Sequence, residues 1–134
     1  MSIKGLLRRY EKDCGITVPF SLWSCDDVNL ALFINGCGPR GLGDKIIPDK
    51  ILFISVKPAC MVHDFEYQIG VTLRDKKNAD ERFKNNLLAI VNKRSSFWPL
   101  KVLRRHIALG YYTAVKDFGH RAFLDKTIDI GVLR

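Results

Sequence analysis

Three stretches of helical periodicity fill most of the second half of this chain, and they constrain its fold more than any other feature. The first runs from about Pro58 to Gly70, with proline at its start and glycine at its end. The second covers roughly Asp75 to Lys93. The third starts near Pro99 and runs to about Lys116–Phe118, where Gly119 is expected to close it. Its Leu103, Ile107, Tyr111, Ala114 and Phe118 recur at spacings of three or four. The residues after Gly119, ending TIDIGVLR, read as extended. No run of alternating strands accompanies these helices, so the expected class is mainly α.

The first half is less regular. Ile3, Leu6, Leu7 and Tyr10 fall at helical spacing and predict a short amphipathic helix packed on its own domain. DDVNLALF, from Asp26, reads as a short helix capped by aspartate. INGCGPRGLGD follows, with four glycines and a proline in eleven residues, a loop free to take positive φ and to turn its backbone groups inward. KIIPDKILFISV is β-branched and contains proline, so it reads as extended or irregular.

At 134 residues the chain is expected to form one domain, residues 1–134. Hydrophobic residues make up 47% and charged residues 27%, a balance that excludes wholesale disorder. No apolar run approaches the ~18 residues of a membrane span, and charges stand in MSIKGLLRRYEKDCG where a signal peptide would be apolar. The expected localisation is therefore open between a dormant cytoplasmic form and release without a cleaved signal. Net charge is +8, and all of the excess lies in residues 68–134. That points to a polyanionic partner or a solvated basic face. Nucleic acid is not expected, because the basic residues are scattered over two helices rather than aligned with stacking aromatics.

The densest chemical cluster is Cys60-Met-Val-His63-Asp64-Phe-Glu-Tyr67. On a helix, His63 and Tyr67 share one face and Cys60 and Asp64 the adjoining one. On the next helix Asp80 lies on the same stripe as Leu87 and Val91, with Phe83 beside it. A carboxylate on an apolar stripe needs a partner, and His63 across a short connection is the natural one. Carbonyls of a glycine-rich loop and a carboxylate can together hold a hard cation such as calcium.

In order along the chain, NGCGPRG, PACMVHDFEY, NADERF and YYTAVKDFG resemble the secreted phospholipase A2 superfamily, and most of all its prokaryotic and fungal branch. The resemblance spans about residues 35–119. It implies a helical domain in which a catalytic helix pairs with a second helix beside a glycine-rich calcium loop. It implies His63 as catalytic base, Asp80 as the aspartate that orients it, and Tyr67 as the tyrosine supporting that aspartate. It also implies a calcium ion held by Asp64 with Gly36, Gly38 and Arg40, and a disulfide between Cys37 and Cys60 tying loop to helix. Asn35 stands where the nearest members carry an aspartate ligand. The implied reaction is calcium-dependent hydrolysis of the sn-2 ester of a glycerophospholipid by a water molecule that His63 deprotonates. No G-x-S-x-G elbow offers a serine nucleophile. The implied partner is a phospholipid membrane surface, anionic given the basic second half, with Phe20, Trp23 or Trp98 available for insertion.

Two rivals come from other classes. Cys60-x2-His63 has ligand-like spacing for structural zinc, which Cys25 and Cys37 would complete. Alternatively, the same fold could serve as a catalytically silent module binding membranes or polyanions.

Overall fold

The computed structural model describes residues 2–34 and 48–133, leaving out the side chains of 118–122 and 124–133. Among them the fold is mainly helical. Three short or medium helices, α1 (Ile3–Cys14), α2 (Phe20–Ser24) and α3 (Asp27–Phe33), precede a two-stranded hairpin, β1 (Lys50–Ile51) and β2 (Ile54–Ser55). Three longer helices follow: α4 (Lys57–Ile69), α5 (Leu73–Arg94) and α6 (Trp98–Leu133). No helix among the described residues is long and apolar enough to cross a membrane.

Local chemistry sets most of these boundaries. Ser2 Oγ caps α1 by accepting from the Gly5 amide, and Gly15 ends it at φ 79°, a left-handed conformation that glycine takes without strain. Asp26 caps α3 by accepting from the Asn29 amide, as its sequence predicts. Proline in the first turn starts α4, where a missing N–H costs nothing. Helix α5 begins two residues earlier than the spacing predicts, because Thr72 and Asp75 form a reciprocal capping box.

Two expectations are corrected. Gly119 does not close the last helix: α6 continues to Leu133, so the TIDIGVLR segment expected to be extended is helical through Leu133. A glycine inside a helix costs only about 1 kcal/mol, and no proline stands beyond it to stop the winding. The apolar stripe of α6 is also rotated from the predicted one. Leu103 is exposed, and the buried line runs through Arg104, Ala108 and Val115, with Ile107, Tyr111 and Ala114 packed beside it.

The core is built where α4, α5 and α6 meet. Cys60, Val62 and Phe65 of α4 face Phe83, Leu87, Ile90 and Val91 of α5, and Ala108 and Val115 of α6 close the layer. Helix α1 packs on this core through Leu7, the outcome expected for an amphipathic helix that stays with its own domain. Asn86 in α5 fastens the segment after α1, accepting from the Thr17 amide at 2.8 Å and donating to its carbonyl at 2.9 Å. An ion pair, Glu66 to Arg82 at 3.0 Å, joins α4 to α5. The turn between them is tight. A Cβ on Gly70 would stand 2.9 Å from Phe123 Cε1 and 3.2 Å from Asp75 Cβ.

The hairpin pairs Lys50 with Ser55 and Ile51 with Ile54. Its two-residue connection is Leu52-Phe53, with φ of 41° and 76°. Positive φ at both central residues is the sense of a type I′ turn, which matches strand twist but ordinarily takes Asn or Gly. Backbone acceptors of this hairpin are held from α6: Tyr111 Oη donates to the Lys50 carbonyl at 2.9 Å, and Arg104 donates Nε and Nη2 to the Leu52 carbonyl.

Candidate active site

The pairing of α4 with α5 brings His63, Tyr67 and Asp80 together, as the helical spacing predicts. His63 Nε2 lies 2.8 Å from Asp80 Oδ1, and Tyr67 Oη donates to the same oxygen at 2.7 Å. The His63 and Tyr67 rings, one helical turn apart, have centroids 4.1 Å apart, and Phe83 flanks the imidazole on its other side at 4.6 Å. Phe123 of α6 packs edge-on against Tyr67 at 5.5 Å. All of these side chains are buried.

One participant lies outside the residues that the sequence motifs single out. Lys76 precedes Asp80 by four residues on α5, is buried, and donates from Nζ to Asp80 Oδ2 at 2.6 Å. The same ammonium reaches the Lys116 carbonyl of α6 at 3.2 Å. The i, i+4 spacing of lysine and aspartate was a usable signal. Its burial depends on carbonyls some forty positions away, which local spacing does not reveal.

The electrostatics follow from this arrangement. Burial alone would raise the Asp80 pKa, but the hydrogen bond from His63, then the bonds from Lys76 and Tyr67, hold it below its ordinary value near 3.8. His63 is lowered from its ordinary 6.5, chiefly by burial; Asp80 opposes this, and Lys76 adds to it. Tyr67 is pushed up by burial and by Asp80, so its hydroxyl stays protonated as a donor. The consistent state is an ionised Asp80 accepting from a neutral imidazole. With Nε2–H committed to the carboxylate, the basic lone pair of His63 is on Nδ1.

Asp64 is buried on α4 next to His63. The residues predicted to join it around calcium, Asn35, Gly36, Gly38 and Arg40, lie outside the described residues, as does Cys37. Cys60 is buried and disulfide-bonded, while Cys14 and Cys25 are free thiols. The zinc arrangement is not formed: the disulfide-bonded Cys60 has no thiolate to give, and His63 Nε2 faces Asp80. Among the described residues no three His, Cys, Asp or Glu side chains gather as a metal cluster. Asp64 supplies one carboxylate oxygen donor of the kind a hard cation such as calcium takes.

On the far side of Asp80 an open cavity of about 500 Å³ lies between α5 and α6, with Lys76, Lys77, Glu81, Tyr112 and Lys116 among its walls. His63 is not one of them. Phe20 and Trp98, two of the three aromatics considered for membrane insertion, are exposed, whereas Trp23 is half-buried beneath the Arg8 guanidinium at 4.2 Å.

No family model matches the chain, and no curated protein or solved structure matches it.

Proposed function

We propose that this chain is a calcium-dependent phospholipase A2 that hydrolyses the sn-2 ester of glycerophospholipids. The observation that carries this is the buried His63–Asp80 pair with its Tyr67 support. A neutral imidazole with Nε2–H fixed on a carboxylate presents Nδ1 as a base, which is what activation of a water molecule requires. Asp80 fixes the tautomer and stabilises the imidazolium once the proton is taken, and Tyr67 holds the carboxylate in place. Asp64, with the 35–40 loop carbonyls, would hold the calcium ion, whose chemistry is to polarise the ester carbonyl and bind phosphate. A disulfide from Cys37 to Cys60 would bring that loop to the Asp64 face of α4. It is supported by Cys60 being bonded while Cys14 and Cys25 are free.

A catalytically silent binding module is the second reading, and Lys76 favours it. An ammonium within 2.6 Å makes Asp80 the counter-ion of a buried cation that ties α5 to α6, a structural role that needs no substrate. Fatty-acid release from phospholipid vesicles separates the two. Release with calcium that stops in excess chelator and in His63→Gln is the expected result. No release at any calcium level, with the disulfide intact, leaves the silent module.

A further inference from the structure

We propose that the Leu52-Phe53 turn, together with Phe97 and Trp98 at the start of α6, is a docking surface for an anionic lipid bilayer. The ring of Phe53 enters the interface, and the surrounding cations meet the headgroups.

The first ground is backbone strain. Leu52 and Phe53 both hold positive φ, at 41° and 76°, a conformation costly for side chains of this bulk. Such strain persists where the surroundings enforce it and where it serves a purpose. Here α6 enforces it: Arg104 is buried and grips the Leu52 carbonyl with two nitrogens, and Tyr111 holds the Lys50 carbonyl. Leu52 packs on the core, but the Phe53 ring that results is 96% exposed, so its own burial does not offset the strain.

The second ground is placement. The remaining guanidinium nitrogen of Arg104, Nη1, donates to Ser95 Oγ at 3.1 Å. One side chain thus bridges the strained turn and the residues that open α6. Phe97 and Trp98 stand there, 65% and 72% exposed. Three large exposed aromatic residues therefore stand in or next to the two segments that this one buried arginine joins. Trp and Phe in this setting suit the zone between headgroups and acyl chains.

The third ground is charge. Residues 82–116 contain eight Lys and Arg and no Asp or Glu. Lys101 and Arg105 follow Trp98 by one and two helical turns, Lys50 lies in the hairpin and Lys57 just after it, against one acid, Asp49. A second copy of this chain would bring the same acid-free stretch against itself, which like charges oppose. An anionic bilayer complements both the rings and the cations. The choice of a bilayer over an acidic protein rests on the lipid-ester function proposed above.

The experiment is co-sedimentation with vesicles of phosphatidylcholine alone and of equimolar phosphatidylcholine and phosphatidylglycerol, in excess chelator so that no ester is cleaved. Parent protein is expected to bind the anionic vesicles more tightly than the neutral ones, and less so as salt rises. Phe53→Asn is expected to melt no lower than parent, since Asn tolerates positive φ. Its binding should be weaker by about tenfold, as loss of one inserted ring implies. Phe97→Ser with Trp98→Ser leaves the turn intact and should weaken binding by at least as much. Binding unchanged in both variants overturns the proposal, as does equal binding to the two vesicles. A parent that self-associates without lipid, and is made monomeric by Phe53→Asn, overturns it in favour of an interface between copies. Vesicle binding without fatty-acid release in calcium would remove the hydrolase and leave this surface standing. Release with unaltered binding in the variants would do the reverse.

Discussion

Lys76 Nζ lies 2.6 Å from Asp80 Oδ2, so the carboxylate bonded to His63 is at the same time the counter-ion of a buried ammonium. The imidazole and the ammonium use different oxygens of one side chain. Any change at Lys76 is therefore felt by the imidazole without touching it.

Replacing Lys76 with Met removes a charge that lowers the basicity of His63. The acid limb of turnover against pH is expected to move upward, by a few tenths of a unit to about one unit. Lys76→Arg keeps the charge and should leave the limb in place while costing stability, since the fork is wider than the ammonium it replaces. Fatty-acid release measured across pH checks both. A limb unmoved in Lys76→Met would show that the ammonium does not couple to the base.

Asp80→Asn is expected to do more than slow the reaction. It leaves Lys76 buried without its carboxylate, and breaking a buried pair from one side costs about 3–5 kcal/mol. Adding Lys76→Met to Asp80→Asn should restore most of that stability and none of the turnover. Chemical denaturation of the single and double variants reads the first part, and release assays read the second.

Tyr67→Phe removes the 2.7 Å bond to Asp80 Oδ1 but keeps a ring against His63 and Phe123. A loss of about 1 kcal/mol in stability and a several-fold fall in turnover are expected. His63→Gln, by contrast, should leave almost no turnover. A fall in Tyr67→Phe as deep as in His63→Gln would mean that the hydroxyl does more than steady the carboxylate.

Stability should fall on acidification in two stages. His63 is held below its unfolded value near 6.5, so the unfolded chain takes up a proton first as pH drops, and the native state loses ground below about 6.5. Asp80 is held below 3.8, so its contribution is present above that value and is lost as pH falls through the lower folded one. Melting temperature followed from pH 7 downward should decline, with His63→Gln flattening the first stage.

The parts of the site that obey a single periodicity were legible. His63 and Tyr67 one turn apart, and Asp80 on the stripe of Leu87 and Val91, follow from helical geometry alone, and the buried pairing of α4 with α5 brings them into contact. Lys76 was hidden because a lysine at an N-terminal turn reads as solvent-facing until α6 is laid over it. The Leu52-Phe53 turn was hidden because it contains neither glycine nor asparagine; its shape is imposed by Arg104, fifty positions later. The continuation of α6 past Gly119 is not legible locally, because a single glycine weakens a helix without obliging it to end. The residues of the expected calcium loop, Asn35, Gly36, Cys37, Gly38 and Arg40, lie outside the described residues.

Gly70 has a consequence for how the base and its carboxylate stay in register. With Phe123 and Asp75 crowding its α-carbon, the connection from α4 to α5 has no room for a side chain at Gly70, and its Val71 and Thr72 amides are both held by Asp75. One inserted or deleted residue turns a helix by about 100°, enough to carry His63 away from Asp80 while every side chain of the site remains present. The distance between acid and base is metered by the length of a three-residue link, so an insertion at 70–72 should silence the centre more thoroughly than most substitutions within it.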